Sequence, residues 1–272
     1  MSESLRVKSS EYIDETTRVS FKFNGKTYFG FKGDTLASAL IANDVHLVGR
    51  SFKYHRPRGI MSAGSEEPNA IIQVDNDKAL TEPNVRATEL EIYEGLEASS
   101  QNCWPSVNFD IGGINNLLSP FLPAGFYYKT FMWPSSFWEK YEFFIRHSAG
   151  LGKSPTKSDP DIYDHKYVHC DVLVIGGGIS GVMAAKTAAK NNLKTLLVDE
   201  KNELGGTTIY QDSENYKIEN QISSNWLKTE IKKLKQLSNL EIKTRTSVAA
   251  YHDYNFLLAR ENLTDHLNKN EK

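Results

Sequence analysis

Three glycines in the second half of the chain have the spacing that a phosphate-binding turn requires. Gly176, Gly178 and Gly181 occupy the G-x-G-x-x-G positions of DVLVIGGGISGVMAA, after apolar residues typical of a buried strand and before an alanine-rich helical run. The first glycine allows a tight turn, the second allows the backbone to approach a diphosphate, and the third lets the helix pack on the strand. Main-chain amides and the helix dipole then bind the phosphates, and Ile179 and Ser180 complete the predicted site.

An acidic pair follows where a ribose ligand is expected. Thr195–Val198 predicts a second buried strand, and Asp199 and Glu200 come directly after it, about 20 residues beyond the glycines. We expect Asp199 to accept from the ribose 2′-hydroxyl, with Glu200 on the opposite face as the alternative. A carboxylate repels a 2′-phosphate, so NAD or the ADP part of FAD is favoured over NADP. Gly205-Gly206-Thr207 resembles the double-glycine turn of two-dinucleotide-binding flavoproteins, which leaves NAD versus FAD open.

The elements around this turn predict an α/β domain at residues 165–272. A strand at Asp171–Ile175, a helix at Ser180–Lys190 and the strand at 195–198 form one βαβ unit. A helical pattern at 224–238 and a strand pattern at Leu240–Val248 follow. A doubly wound sheet needs further strands to cover both faces, so we expect an incomplete Rossmann-type dinucleotide-binding domain.

Residues 15–98 predict a small α+β domain of a different kind. Apolar and polar side chains alternate over 18–31 around Asn24-Gly25, which indicates a hairpin with a type I′ turn. We expect a helix at Thr35–Asn43, capped by Asp34. We also expect strands at Ala70–Val74 and Glu89–Tyr93.

Residues 99–164 predict an aromatic-rich connecting segment and linker. Thirteen aromatic residues lie between Trp104 and Phe144, and a Gly/Ser/Pro/Lys linker follows at Gly150–Asp161. Burial of one such side chain contributes about 1.5–3 kcal/mol, so we expect the aromatics to be covered by this chain's own domains or by another subunit.

Composition and charge exclude several classes of protein. Lys and Arg number 32 against 34 Asp and Glu, which disfavours a nucleic-acid or anionic-membrane partner. The charged N-terminus is unlike a signal peptide, and prolines break the uncharged run Ile111–Tyr128, so we expect neither export nor a membrane span. Cys103 and Cys170 are far apart in sequence. We therefore expect both to be small packed residues, and we expect the protein to belong to a reducing, cytoplasmic compartment.

A basic segment and the scattered histidines leave their roles open. The segment contains two interleaved aromatics, Phe52 and Tyr54, and five basic side chains: Arg50, Lys53, His55, Arg56 and Arg58. It suits a partner surface, an anion contact or a solvated loop. The histidines lack metal-ligand spacing, so no metal site is predicted.

Three blocks of sequence resemble the alpha subunits of heterotetrameric sarcosine oxidases. They are GRSFKYHRPRGIMSAGSEEPNA at 49–70, QNCWPSV at 101–107 and the glycine turn. The resemblance implies the N-terminal part of such a subunit: a β-grasp, 2Fe-2S ferredoxin-like domain followed by a glutathione-reductase-like dinucleotide-binding domain. Residues 49–70 contain no cysteine, so we expect no iron–sulfur cluster.

The resemblance also implies an activity. Sarcosine would be oxidatively demethylated to glycine, with formaldehyde or methylene-tetrahydrofolate and hydrogen peroxide as further products. A beta subunit would carry FAD and FMN, whereas Gly176, Gly178, Gly181 and Asp199 would hold NAD. No catalytic residue is assigned, and the fragment alone is expected to be inactive. The alternative is a truncated, catalytically silent dinucleotide-binding or scaffold subunit of another amine- or amino-acid-oxidising flavoenzyme complex.

Overall fold

The computed structural model describes residues 5–7, 12–75, 77–121, 125, 131, 133–148, 150–210 and 216–267. The chain divides into two compact units, Met1–Asp161 and Ile162–Lys272. The finer division at 15–98, 99–164 and 165–272 stays a prediction.

A mixed sheet forms the centre of the first unit. Its five strands, counted among the described residues, are β1 (Asp14–Phe23), β2 (Lys26–Lys32), β5 (Ile71–Val74), β6 (Glu82–Arg86) and β7 (Leu96–Ser100), in the order β2-β1-β7-β5-β6. A separate short pair joins β3 (Gly49–Arg50) to β4 (Pro57–Arg58). β1 and β7 run parallel, and the other pairs of the large sheet are antiparallel. Helix α1 (Leu36–Ala42) packs on the sheet and buries Leu36 and Leu40.

The predicted hairpin is confirmed, and the expected cap is shifted by one residue. Asn24 and Gly25 have φ angles of 51° and 75°, as a type I′ turn requires. The N-cap of α1 is Thr35, whose hydroxyl accepts from the Ser38 amide. Asp34 instead lies buried and accepts from the Phe31 amide and from the Arg6 guanidinium, so its carboxylate joins separate parts of the unit.

The prediction of a strand at Glu89–Tyr93 is wrong. These residues form a turn and single hydrogen-bonded contacts, in which Leu36 N donates to Leu90 O and Ile92 N donates to Asp34 O. The neighbouring strand is β6, which contains Pro83. β6 lies at the sheet edge, where a residue without an amide hydrogen is tolerated.

The segment after β7 is organised as short helices. α2 (Ile114–Leu117) lies between single 3₁₀ turns, and α3 (Trp138–Ser148) follows. Trp104, Phe121 and Trp133 are exposed in the first unit, so the expected cover is not found there. Three of the thirteen aromatic residues, Phe126, Tyr127 and Tyr128, lie outside the described residues. Part of the uncharged run 111–128 lies outside them as well.

The start of the expected linker is hydrogen-bonded to the first unit. Lys153 N donates to Gln73 Oε1 at 2.7 Å, and Gln73 Nε2 donates back to Lys153 O at 3.1 Å. Asn84 Nδ2 donates to Leu151 O at 2.9 Å. Amide side chains on the strands therefore fasten the start of Gly150–Asp161.

A parallel sheet forms the centre of the second unit. Among the described residues it has three strands, β8 (Val172–Ile175), β9 (Thr195–Val198) and β12 (Leu240–Lys243), in the order β12-β9-β8. Helices α4 (Ile179–Lys190) and α5 (Ser223–Leu234) pack against each other, and the buried core contains Val182, Leu197, Leu227 and Leu234. Two hairpins complete it: β10 (Lys217–Ile218) with β11 (Gln221–Ile222), and β13 (Thr246–His252) with β14 (Phe256–Glu261).

The strand expected at Leu240–Val248 is interrupted. Arg245 adopts a φ of 50°, so β12 ends before it and β13 begins after it. None of the helices in the described residues is long and apolar enough to cross a membrane.

Candidate dinucleotide site

The three motif glycines span the turn from β8 into the first turn of α4. Gly176 has a φ of 95° and donates to Val198 O at 2.8 Å, which joins the start of the turn to β9. A Cβ on Gly181 would lie 1.8 Å from Gly176 O, so only glycine allows the helix this close to the turn. Gly178 is the N-cap of α4, and the first helical bond of α4 runs from Val182 N to Gly178 O.

The amides that precede this bond are suited to an anion. The first N–H groups of any helix lack partners within that helix. Here they belong to Ile179, Ser180 and Gly181, at the positive end of the dipole of α4. The turn therefore carries donors for an anion without a basic side chain.

Gly177, between two motif glycines, is fixed from both sides. Its N–H donates to Asp199 Oδ2 at 2.5 Å, and its carbonyl accepts from Gly205 N at 2.8 Å. A Cβ at this position would lie 2.3 Å from Leu204 Cδ2. The sequence motif leaves this position unspecified, and the third consecutive glycine was the signal that could have indicated it.

The two acids beside the turn differ sharply in environment. Asp199 is only 8% exposed, and its Oδ1 accepts from Lys201 N at 2.8 Å in addition to the bond from Gly177. Glu200 is exposed on the surface. Only Asp199 is joined to the glycine turn, whereas Glu200 is not brought to it by any hydrogen bond described here.

The double-glycine turn lies against the first one. A Cβ on Gly206 would be 3.0 Å from Gly178 Cα, so the two backbones approach closely. Thr207 is exposed, whereas its neighbour Thr208 is buried and its Oγ1 has no hydrogen-bond partner among the described residues. Thr208 was not singled out from the sequence, because nothing in the sequence distinguishes it from Thr207.

The space at Gly178 fits a ligand that approaches the backbone. A Cβ there would meet no atom closer than Gly206 Cα at 4.0 Å, so the surface beside the N-terminus of α4 is open. Together with the helix amides and the Asp199 carboxylate, this geometry suits the diphosphate and ribose of a dinucleotide. These residues would bind and orient the nucleotide, and the bound cofactor would supply the redox chemistry.

The chain matches two family models, one within each of its two units. A 2Fe-2S iron-sulfur cluster binding domain matches residues 16–103, and an FAD dependent oxidoreductase matches residues 171–269. Sarcosine oxidase subunit alpha of Rhizobium meliloti (strain 1021) is 48% identical over 97% of this chain and 26% of its own length. The resemblance to sarcosine oxidase alpha subunits is confirmed.

Further relatives agree with this result. Sarcosine oxidase subunit alpha of Corynebacterium sp. (strain P-1) is 30% identical over 94% of this chain and 22% of its own length. The chain thus spans about a quarter of the length of these sarcosine oxidase alpha subunits. The crystal structure of L-proline dehydrogenase from P. horikoshii covers 92% of this chain and 39% of its own, with a TM-score of 0.52 at 17% identity, which is a likeness of fold.

These matches bear on the fold and on the cofactor. The first supports the ferredoxin-like domain, and the second supports an FAD-dependent oxidoreductase domain in an oxidoreductase subunit. FAD, the alternative in the sequence analysis, is the cofactor that the second description contains. NAD is not tested by either match.

The residues of the first unit do not fit a [2Fe–2S] cluster. Such clusters take four thiolates, or two with two histidines, whereas Cys103 is the sole cysteine in the matched residues 16–103. Instead, the loop within 49–70 surrounds the carboxylate of Glu67, which is 1% exposed. This carboxylate accepts four main-chain hydrogen bonds of 2.6–3.0 Å, from Met61, Ser62, Asn69 and Ala70.

The basic segment pairs with the residues after β7. Arg50 Nε and Nη2 donate to Val107 O at 2.8 and 2.6 Å, and Arg56 Nε donates to Asn116 Oδ1 at 2.7 Å. Part of its charge is therefore used inside the unit, which none of the three predicted roles of the segment anticipated. The described residues contain no group of three His, Cys, Asp or Glu side chains that could hold a metal ion.

Neither cysteine has the environment of a nucleophile. Burial raises the pKa of the Cys103 thiol, and the Asp110 carboxylate raises it further. Burial likewise raises the pKa of Cys170. Because the thiolate is the reactive form, both positions favour the neutral, unreactive thiol.

Proposed function

We propose that the second unit binds the ADP part of an adenine dinucleotide at the turn between β8 and α4. The observation that carries this proposal is the open backbone at Gly178, which lies beside the helix amides and the buried Asp199. In this arrangement the amides of Ile179 and Ser180 bind the diphosphate, and Asp199 accepts from the ribose. Gly206 and Thr207 border the same space.

The cofactor is NAD or FAD, and both contain this ADP part. The resemblance to sarcosine oxidase alpha subunits implies NAD, whereas the matched family description supports FAD. The Asp199 carboxylate would repel a 2′-phosphate, so we exclude NADP. The binding turn is of the Rossmann type, because a parallel strand, a glycine turn and a helix follow one another in the required order.

We further propose that the chain contributes to a sarcosine-oxidising flavoenzyme. In that assembly sarcosine is demethylated to glycine, with formaldehyde or methylene-tetrahydrofolate and hydrogen peroxide as products. The resemblance to sarcosine oxidase alpha subunits implies a beta subunit that would carry the flavin that oxidises the amine. The two free cysteines agree with a cytoplasmic location.

Titration calorimetry with NAD, FAD and ADP tests the binding site. The native chain should bind ADP and at least one dinucleotide, and Gly178→Val should abolish binding because its side chain fills the space beside the turn. Ala184→Val on the exposed side of α4 is the matched control and should bind as the native chain does. If the native chain binds none of the three, the proposal is wrong.

Co-purification tests the proposed assembly. A flavin-bearing partner should purify with the chain, and the complex should release hydrogen peroxide when sarcosine is added. A complex that binds dinucleotide but never oxidises sarcosine would instead favour the silent scaffold subunit.

A further inference from the structure

Asp199 is engaged by hydrogen bonds within the chain. Both of its carboxylate oxygens accept main-chain hydrogen bonds, Oδ2 from Gly177 and Oδ1 from Lys201. Its own backbone is fixed as well, because Asp199 N donates to Lys243 O at 2.9 Å and Thr246 N donates to Asp199 O at 2.8 Å. A residue that served only as a ribose acceptor would not need these connections.

The bonds to Gly177 determine how the next peptide is oriented. The Gly177 carbonyl is fixed by Gly205 N, while the Gly177 N–H is fixed by Asp199. In a trans peptide the N–H of the following residue points away from the carbonyl. Holding the Gly177 carbonyl therefore also directs the N–H of Gly178, at the point where the backbone is open.

We propose that Asp199 is a positioning residue for the diphosphate-binding turn. It holds the N–H side of Gly177 while Gly205 holds the carbonyl side, so that the amides that follow need no rearrangement when a diphosphate arrives. Such pre-organisation raises affinity because less conformational freedom is lost on binding. This inference rests on the proposed function, and it adds a role for Asp199 that does not depend on the ribose.

A comparison of two ligands separates the two roles of Asp199. ADP contains the ribose hydroxyls, and 2′,3′-dideoxy-ADP lacks them but keeps the diphosphate. Asp199→Asn retains the shape of the side chain, but its NH₂ group must face one of the two N–H donors. We expect it to weaken 2′,3′-dideoxy-ADP about tenfold through the lost positioning, and ADP at least as much because its ribose contact is also affected. Glu203→Gln, at an exposed position in the following loop, is the matched control and should change neither affinity.

The opposite outcome is equally clear. If Asp199→Asn weakens ADP but leaves 2′,3′-dideoxy-ADP unchanged, Asp199 acts only on the ribose and the inference is wrong. If the native chain binds neither ligand, the proposed function itself fails.

A second measurement uses the native chain and needs no variant. Amide hydrogen exchange of the nucleotide-free protein should show that the Gly177 N–H is protected, because its bond to Asp199 exists before binding. Rapid exchange at Gly177 that slows only when ADP is added would overturn the proposal. This result would stand even if Asp199→Asn failed to fold.

Discussion

Asp110 Oδ2 lies 2.6 Å from Nδ1 of His55, and this contact joins two loops of the first unit. The two side chains are 1% and 12% exposed. Asp110 Oδ1 also accepts from the Trp104 and Gly112 amides, so one carboxylate connects the basic segment with the residues after β7. Deletion of this carboxylate removes the acceptor of both amides and the partner of the His55 ring.

Asp110→Ala should therefore destabilise the protein by about 3 kcal/mol, as expected when one member of a buried pair is removed. Chemical denaturation measures this free energy of unfolding. Asp44→Ala removes a similar contact, since Asp44 lies 2.8 Å from His46, but that pair is exposed and should cost less than about 1 kcal/mol. Equal losses in the two variants would contradict the role assigned to Asp110.

Glu67→Gln should destabilise the protein by about 1–3 kcal/mol, because a neutral amide accepts the loop amides less strongly and brings donors of its own. Glu66→Gln, at an exposed neighbouring position, is the control and should have little effect. Thermal unfolding at neutral pH provides the comparison. A Tm of Glu67→Gln equal to that of the native chain would show that the carboxylate does not organise the loop.

The same residue predicts a dependence on pH. Burial alone raises the pKa of Glu67, but the main-chain bonds from Ser62, Asn69, Met61 and Ala70 outweigh it and lower the pKa below its ordinary value of 4.5. The stabilisation from ionised Glu67 is thus complete above about pH 4.5 and is lost as the pH falls through the lower folded-state pKa. Glu67→Gln should therefore reduce the loss of unfolding free energy as the pH falls. An unchanged dependence of this free energy on pH would contradict the role assigned to Glu67.

Gly181→Ala should prevent nucleotide binding and lower the Tm, because its Cβ would lie 1.8 Å from Gly176 O and force the helix away from the turn. Gly113→Ala is the matched substitution, since a Cβ there meets no atom within 4 Å and its φ of −58° suits alanine. Calorimetry with ADP and a melting curve measure both effects. Normal ADP binding by Gly181→Ala would contradict the geometry of the turn.

The two lysines that contact Glu230 should differ in importance. Burial raises the pKa of Glu230, but hydrogen bonds and charge from Lys186 and Lys233 outweigh it and lower the pKa. Lys186 is 17% exposed and joins α4 to α5, whereas Lys233 is 56% exposed and lies on the same helix as Glu230.

We therefore expect Lys186→Ala to cost about 2 kcal/mol of unfolding free energy, and Lys233→Ala less than about 1 kcal/mol. Urea denaturation of both variants gives the comparison. A larger loss for Lys233→Ala would show that the contact between the helices contributes little.

Local sequence patterns were sufficient to predict those elements in which nearby residues restrict the backbone directly. Asn24-Gly25 fixes the first hairpin, and the glycine spacing with its flanking apolar runs predicts β8, α4 and β9 within one residue at each end. Each of these features depends on neighbours close in sequence.

The features that the sequence did not reveal depend on distant contacts. A Cβ on Gly177 would lie 2.3 Å from Leu204 Cδ2, and a motif of three spaced glycines contains no information about Leu204. Strand β6 was not predicted, because the edge position that tolerates Pro83 is set by strands distant in sequence. The interior positions of Glu67 and Asp110 could not be inferred either, because charged residues are ordinarily exposed.

The loop around Glu67 has a consequence for how this protein matures. Its organising anion is a side chain of the polypeptide itself, so the loop amides have their acceptor without an added cofactor. Folding of the first unit should therefore proceed unchanged in iron-starved cells and without a cluster-assembly system, and air should not damage the loop.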